Sequence, residues 1–377
     1  MEEFSMKQYD VAAYIWPSYT GDELRTRMFW PEGMGEWETV RDAKPKFEGH
    51  QWPRLPLLGF QNEADAEVME QQIKLATDHG VNVFIYDWYW YDRRPFLENC
   101  LNDGFLKAKN NKDMKFYLMW ANHNATHLWN RWLSSSECGS TVIWEGAVNR
   151  QDFEFMANRL VDKYFHYDNY YKIDGKPVFM IYEVPTFIKG MGGIENAAEA
   201  IQWFKELVVS KGYPGVHIQY CVRGDKTVDL MGLGGETIAS YDETIQKLGA
   251  DSCSHYQYCQ ITNVEDDYEN VLVRIKAEYD KIDAEYNTTY YPHVSAGWDN
   301  NARYTELRPK IMRNSTPENF EKGLRLAKEY VDSHDLPAPL ITINAWNEWT
   351  ENSTLLPCDI YGYGFLEAIK RVFKEEE

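Results

Sequence analysis

What most limits the folds open to this chain is a regular alternation of short apolar runs with longer segments of helical period. Residues 10–16, 81–89, 115–123, 176–183, 216–222, 250–258, 290–298 and the run opening at Pro339 are rich in β-branched and aromatic residues, which is strand-like. Between them, residues 66–79, 94–109, 151–165, 194–211, 241–248, 266–286, 316–333 and 365–374 carry apolar residues at helical spacing. The first of these shows the pattern well: Val68, Met69, Ile73, Leu75 and Ala76, stopped by Gly80. Pro95 and Pro317 stand where a helix begins, the second behind Thr316 as its cap. Eight strands alternating with helices predict an α/β fold of the (β/α)8 barrel type. A doubly wound sheet is the runner-up, but it wants a glycine-rich turn after the first strand. Here that strand runs into Trp16-Pro-Ser-Tyr19. A length of 377 residues would also hold two ordinary domains. No shift of composition marks a boundary, so residues 1–377 are expected to form a single domain.

Two stretches break the rhythm. Residues 18–62 follow the first strand and residues 124–149 the third, both longer than an ordinary connection, and such loops are usually functional. Trp30, Trp37 and Trp52 either line a cleft or pin the first loop down, and pinning is expected for most of them.

In a barrel of this kind the active site is built at the C-terminal strand ends. Those ends read Tyr14 and Trp16; Asp87, Trp88 and Trp90; Trp120, Asn122 and His123; Tyr182 and Glu183; Arg223; Trp298 and Asp299; Trp346, Glu348 and Glu351. Each alone has an ordinary explanation as a cap, a core group or a surface charge. Repeated at one end of successive strands, they predict a sugar-lined cleft. Aromatic residues make up 15% of the chain, with 14 Trp and 26 Tyr, which leans the same way because sugar rings stack on aromatic faces. In the last strand, alternation puts Ile341, Ile343 and Ala345 on one face and Asn344, Trp346 and Glu348 on the other. A turn after Trp349 would return Glu351 to the side of Glu348. Two carboxyls beside an aromatic platform are what glycosidic-bond chemistry requires.

Other chemistries fit less well. A formal net charge of −20 disfavours nucleic acid and anionic membrane surfaces as partners. His123 and His127 have the i, i+4 spacing of a metal site but no HExxH and no third ligand, so no metal is expected. The glycine clusters at 190–193 and 232–235 lack the spacing of a phosphate loop, and no GxSxG elbow occurs. No cofactor is expected. The six cysteines (Cys100, Cys138, Cys221, Cys253, Cys259 and Cys358) are scattered without a CxxC pair, which fits free thiols in a reducing compartment. With no leader-like start and no run near the roughly 18–20 apolar residues of a membrane span, a soluble cytoplasmic protein is expected. Removal of a leader would give the same appearance, so a periplasmic or secreted location stays open. The oligomeric state is not readable.

The string Ala345-Trp-Asn-Glu-Trp-Thr-Glu351, followed by Tyr361-Gly-Tyr-Gly-Phe-Leu-Glu-Ala-Ile369, resembles the WbsX family. Residues 83–90 (Val-Phe-Ile-Tyr-Asp-Trp-Tyr-Trp) and 118–123 (Leu-Met-Trp-Ala-Asn-His) look like it too. That family is described as glycosyltransferase-like and is related to the family 99 glycoside hydrolases, (β/α)8 endo-α-mannosidases. The resemblance implies a retaining hydrolase working through a 1,2-anhydro-sugar, with Glu348 deprotonating the sugar 2-OH and Glu351 protonating the leaving oxygen. It adds Asn347, Trp349 and Tyr361 to the expected substrate-binding set. It points to an α-linked, mannan-like or bacterial surface polysaccharide cut in endo fashion. Thr350 and Asn352 stand where the hydrolases carry His and Gly, so the surroundings of the pair differ. The alternatives are a glycosyltransferase of polysaccharide biosynthesis and a non-catalytic glycan-binding barrel.

Overall fold

The computed structural model describes residues 8–21, 23–51, 53–224, 227–230 and 238–375, and its main sheet contains the eight expected strands. These are β1 Asp10–Ile15, β2 Val83–Tyr91, β3 Lys115–Trp120, β4 Lys176–Ile181, β5 His217–Cys221 and β6 Ser252–Ser254. β7 comes in two segments, Thr289–Tyr290 and His293–Ser295, and β8 is Leu340–Asn344. Each strand runs parallel to its successor, and β8 pairs with β1, Leu340 opposite Asp10.

β7 is broken by Pro292, which has no N–H to give a ladder. Its first segment pairs with β6 and its second with β8. Across the break, Tyr291 N donates to the Cys253 carbonyl at 2.9 Å, and Thr342 N donates to the Pro292 carbonyl at 3.0 Å. The ring therefore closes through a divided strand, and the fold is a (β/α)8 barrel.

Helices cover the outside. Ala66–His79 begins at Asp65, whose carboxylate accepts from Glu67 N, and ends at Gly80 in the left-handed region (φ 100). Arg150–Tyr164, Ile194–Ser210, Tyr241–Lys247, Tyr268–Glu285, Pro317–Ser333 and Gly364–Phe373 fall close to their expected places. Among the described residues, no helix is long and apolar enough to cross a membrane.

One expected helix is corrected. Residues 94–109 do not begin as a helix: Asp92 and Arg93 take φ of 54 and 60, and Arg94–Phe96 folds back antiparallel on β2. This is a two-residue hairpin turn with both central residues left-handed. It buries Phe96 against Tyr89, Tyr91 and Trp129, and helical turns start only at Cys100. Tertiary burial overrides the helical period, and Pro95 sits in the hairpin strand. A helix not expected, Val184–Met191, follows β4; Pro185 in its first turn and Gly192 (φ 79) at its end were the available signals.

The first long loop is pinned as expected. The Trp37 indole donates to the Gln61 carbonyl at 2.7 Å, and its ring packs on Tyr19 and Trp349 at 4.2 and 5.8 Å. Trp30 is buried against Trp16, Phe29 and Trp129. Trp52 lies outside the described residues.

Candidate active site

A cleft of about 200 Å3 opens at the C-terminal ends of the strands. At its base the last strand ends at Asn344, and the chain re-forms as a short antiparallel ladder, Asn347 opposite Thr354 and Glu348 opposite Ser353. The turn between, Trp349–Glu351, closes through Asn352 at φ 55. Asn tolerates the left-handed region better than other side-chain-bearing residues.

This turn sends Glu348 and Glu351 toward one guanidinium. Arg303 Nη1 donates to Glu351 at 2.6 Å and Nη2 to Glu348 at 3.3 Å. Its Nε and Nη2 also donate to Glu36, at 2.9 and 3.4 Å. Glu36 accepts besides from the Trp16 indole and from the Ser18 hydroxyl. The Glu351 carbonyl accepts from Asp299 N at 2.8 Å, which ties the turn to the segment carrying Arg303. Burial pushes the Glu348 carboxyl well above the usual carboxylate range, and the neighbouring Glu351 pushes it further while Arg303 pulls it back. Burial likewise raises Glu351, with Arg303 again opposing. One cation answers three carboxylates here.

Elsewhere in the lining, Asp87 Oδ2 accepts from the Tyr256 hydroxyl at 2.8 Å, while Asp87 Oδ1, though buried, has no partner among the described residues. Burial raises its carboxyl well above the ordinary value. His123 Nδ1 lies 2.9 Å from the Asn124 carbonyl, so that nitrogen carries the proton and Nε2 presents a lone pair. Burial lowers its pKa to about 4, so the ring is neutral near pH 7. Glu183 pairs with Arg223, which lies over the Tyr182 ring at 5.2 Å. Trp16, Tyr89, Leu128 and Trp129 give the cleft its apolar surface.

Of the expected residues, Trp16, Asp87, His123, Tyr182, Glu183, Glu348 and Glu351 line this cleft. The others stand around it. Tyr14 lies in the barrel interior, donating to the His255 carbonyl at 3.0 Å. Trp88, Trp90 and Trp120 face the helix layer: the Trp88 indole donates to Glu98 at 2.8 Å, Trp90 packs on Phe155, and Trp120 on Phe153 and Phe187. Trp346 also faces outward, donating to Gln72 at 2.8 Å and packing on Phe84, because strand alternation stops with β8 at Asn344. Trp349 packs on Trp37. Asn122 and Asn347 are backbone clamps. The first accepts from Glu183 N at 2.7 Å and donates to its carbonyl at 2.8 Å; the second does the same for Trp16, at 2.8 Å each way. Arg223 sits behind Glu183. Asp299 accepts from His50 Nε2 at 2.6 Å, and Met312 N donates to the Trp298 carbonyl. Tyr361 donates to Gln51 at 3.0 Å with the Arg54 guanidinium over its ring.

The sequence reading missed Glu36, Tyr89, Trp129, Tyr256 and Arg303. Tyr89 was recoverable, since it shares the face of Asp87 two residues on. Tyr256 falls in the expected strand 250–258 but lies just past its observed end at Ser254, and the others come from loop segments, which have no period to read.

A model of the family described as glycosyltransferase WbsX matches residues 12–369. An uncharacterized protein, WxcX of Xanthomonas campestris pv. campestris, is 25% identical over 346 residues, covering 91% of this chain and 46% of its own. The chain thus spans about half the length of the curated relatives it matches. Among solved structures, a GH99 endo-alpha-mannosidase from Bacteroides thetaiotaomicron superposes with a TM-score of 0.59 at 14% identity, covering 96% of this chain and 95% of the other. A glycoside hydrolase-like protein gives a TM-score of 0.61, again at 14% identity, covering 98% and 95%. At these identities the likeness shows a glycosidase-like fold.

Proposed function

The chain belongs to the family described as glycosyltransferase WbsX, and from that premise, together with the charge of its cleft, we propose that it hydrolyses glycosidic bonds. The reading is a retaining, metal-independent glycoside hydrolase, endo-acting on an α-linked, mannan-like or bacterial surface polysaccharide. The observation that carries it is the pair Glu348, buried, and Glu351, partly buried, held by one arginine in a cleft lined with aromatic rings. A close pair of carboxyls with raised pKa values supplies an acid and a base at neutral pH.

On the pattern of the family 99 hydrolases, Glu348 takes the proton of the sugar 2-OH, whose oxygen attacks C1 to form the 1,2-anhydro ring. Glu351 gives its proton to the departing oxygen. Glu351 then takes a proton from the incoming water, whose oxygen opens the ring at C1, and Glu348 returns its proton to O2. One observation favours the reverse division: Arg303 is nearer Glu351 than Glu348, at 2.6 against 3.3 Å, which favours the charge on Glu351 and the resting proton on Glu348.

The family's description suggests a transferase instead. The lining carries Asp87, Glu183, Glu348 and Glu351, while its one cation among the described residues, Arg303, is already engaged. A nucleotide diphosphate would find no free guanidinium there, which supports the hydrolase. A non-catalytic glycan-binding barrel has no use for a buried acid pair.

The test is cleavage of a panel of α-linked mannans and bacterial polysaccharides by wild type and Glu351→Gln, with and without chelator. Chelator-insensitive cleavage lost in the variant supports the reading. Binding of a nucleotide sugar by calorimetry, with no cleavage, would replace it by the transferase.

A further inference from the structure

Arg303 poses a problem for any acid at this site. A guanidinium hydrogen-bonded to a buried carboxyl favours the ionised form. Left with Glu348 and Glu351 alone, it would strip the proton that an acid must carry. Glu36 changes that balance. It is wholly buried, it takes two of Arg303's donor contacts, and the Trp16 indole and Ser18 hydroxyl also point at it. It faces four donor contacts and no acceptor. Its backbone is fixed as well, since Glu36 N donates to the Ser18 carbonyl at 3.2 Å and Trp37, next to it, is packed against Trp349.

We propose that Glu36 is a positioning residue: by answering the charge of Arg303, it leaves the pair Glu348 and Glu351 holding one proton between them. The inference rests on the hydrolase reading only for its use, not for its chemistry. Other groups near the pair do not replace Glu36. Asp87 on β2 also acts on Glu348, and it adds repulsion. Tyr19, Tyr89 and Tyr256 are buried and Cys259 partly buried, and all four are held neutral, their pKa values pushed up. His123 is neutral, and Arg223 is paired with Glu183. Arg303 is the cation in reach of the pair, and Glu36 is its third carboxylate.

The arrangement assigns Glu36 an effect of definite sign. Without its carboxylate, the full charge of Arg303 falls on the pair, and both carboxyls titrate at lower pH. An opposite charge at hydrogen-bond distance shifts a carboxyl by roughly one to three units. The experiment is a pH titration of the full chain labelled with carbon-13 at the glutamate carboxyls and followed by NMR, with Glu348 and Glu351 identified through their Gln variants. In wild type the pair should hold a proton at pH 7. In Glu36→Gln the pair's midpoints should fall by at least about one unit, and Glu36→Asp should leave them near wild type. Arg303→Gln should move them up. Opposite shifts in the two Gln variants are what a purely structural Glu36 does not produce, and if Glu36→Gln does not fold, Glu36→Met, which also removes the charge at similar length, takes its place. Both carboxyls ionised at pH 7 in wild type, or midpoints unmoved in either Gln variant, would overturn the proposal. No substrate enters the measurement. A pair titrating as stated in a protein that cleaves nothing would keep this inference and sink the hydrolase.

Discussion

The two faces of β2 hold neighbouring residues with opposite fates. Asp87 and Tyr89 point into the cleft, while Trp88 and Trp90 point into the helix layer. By side-chain type the tryptophans look the more glycan-like, yet the pleat turns them away from it. What separates site from scaffold is direction set by the backbone, and aromatic richness in this chain belongs largely to the scaffold. Trp120 and Trp346 repeat the lesson on β3 and just past β8.

The contrast would break if an outward tryptophan proved to bind substrate. Trp88→Ala should cost about 3–5 kcal/mol of stability, read by denaturant unfolding, and leave KM unchanged in the protein that remains folded. A rise in KM without loss of stability would place Trp88 in the site. On the inward face of the barrel mouth, Glu351→Gln should lower the cleavage rate by at least about 100-fold with little change in stability. A glycoside with a good leaving group should restore the rate if Glu351 is the acid. Rescue of Glu348→Gln instead would select the reverse division that Arg303 favours.

Asp87→Asn should have a smaller effect on catalysis, about tenfold in kcat/KM, with an informative pH dependence. The folded-state pKa of Asp87 is raised above its unfolded value. Its contribution to stability is therefore fully present below the unfolded pKa and is lost as pH rises through the folded one. Wild type should lose stability from about pH 4 upward relative to the Asn variant, measured as denaturant midpoints across pH. Parallel curves would mean that Asp87 is solvated. The smallest effect is expected of Leu128→Ala at the cleft margin, a change in KM of roughly threefold or less with kcat kept.

Much of the barrel was legible because strands and helices have periods, and eight alternations leave few architectures. The acid pair was legible because its two members lie three residues apart on one turn. The hairpin at Arg94–Phe96 was not, since its cause is the burial of Phe96 among rings distant in sequence. Arg303 and Glu36 were not, since each has meaning only through the other, and 267 positions separate them. Taking every residue at a strand end as inward-facing, without applying the pleat, is what drew in Trp88, Trp90 and Trp120.

The closure of the ring has a consequence in time. The last strand to be made, β8, is the one that covers the free side of the first, β1. At roughly 5–20 residues per second on the ribosome, that side stays uncovered for some tens of seconds while the rest of the chain emerges. An uncovered strand edge is a template for pairing with another chain. The nascent polypeptide therefore carries a sticky flank from the emergence of β1 until β8 arrives. Chaperone occupancy along the message should persist until Leu340–Asn344 has left the exit tunnel.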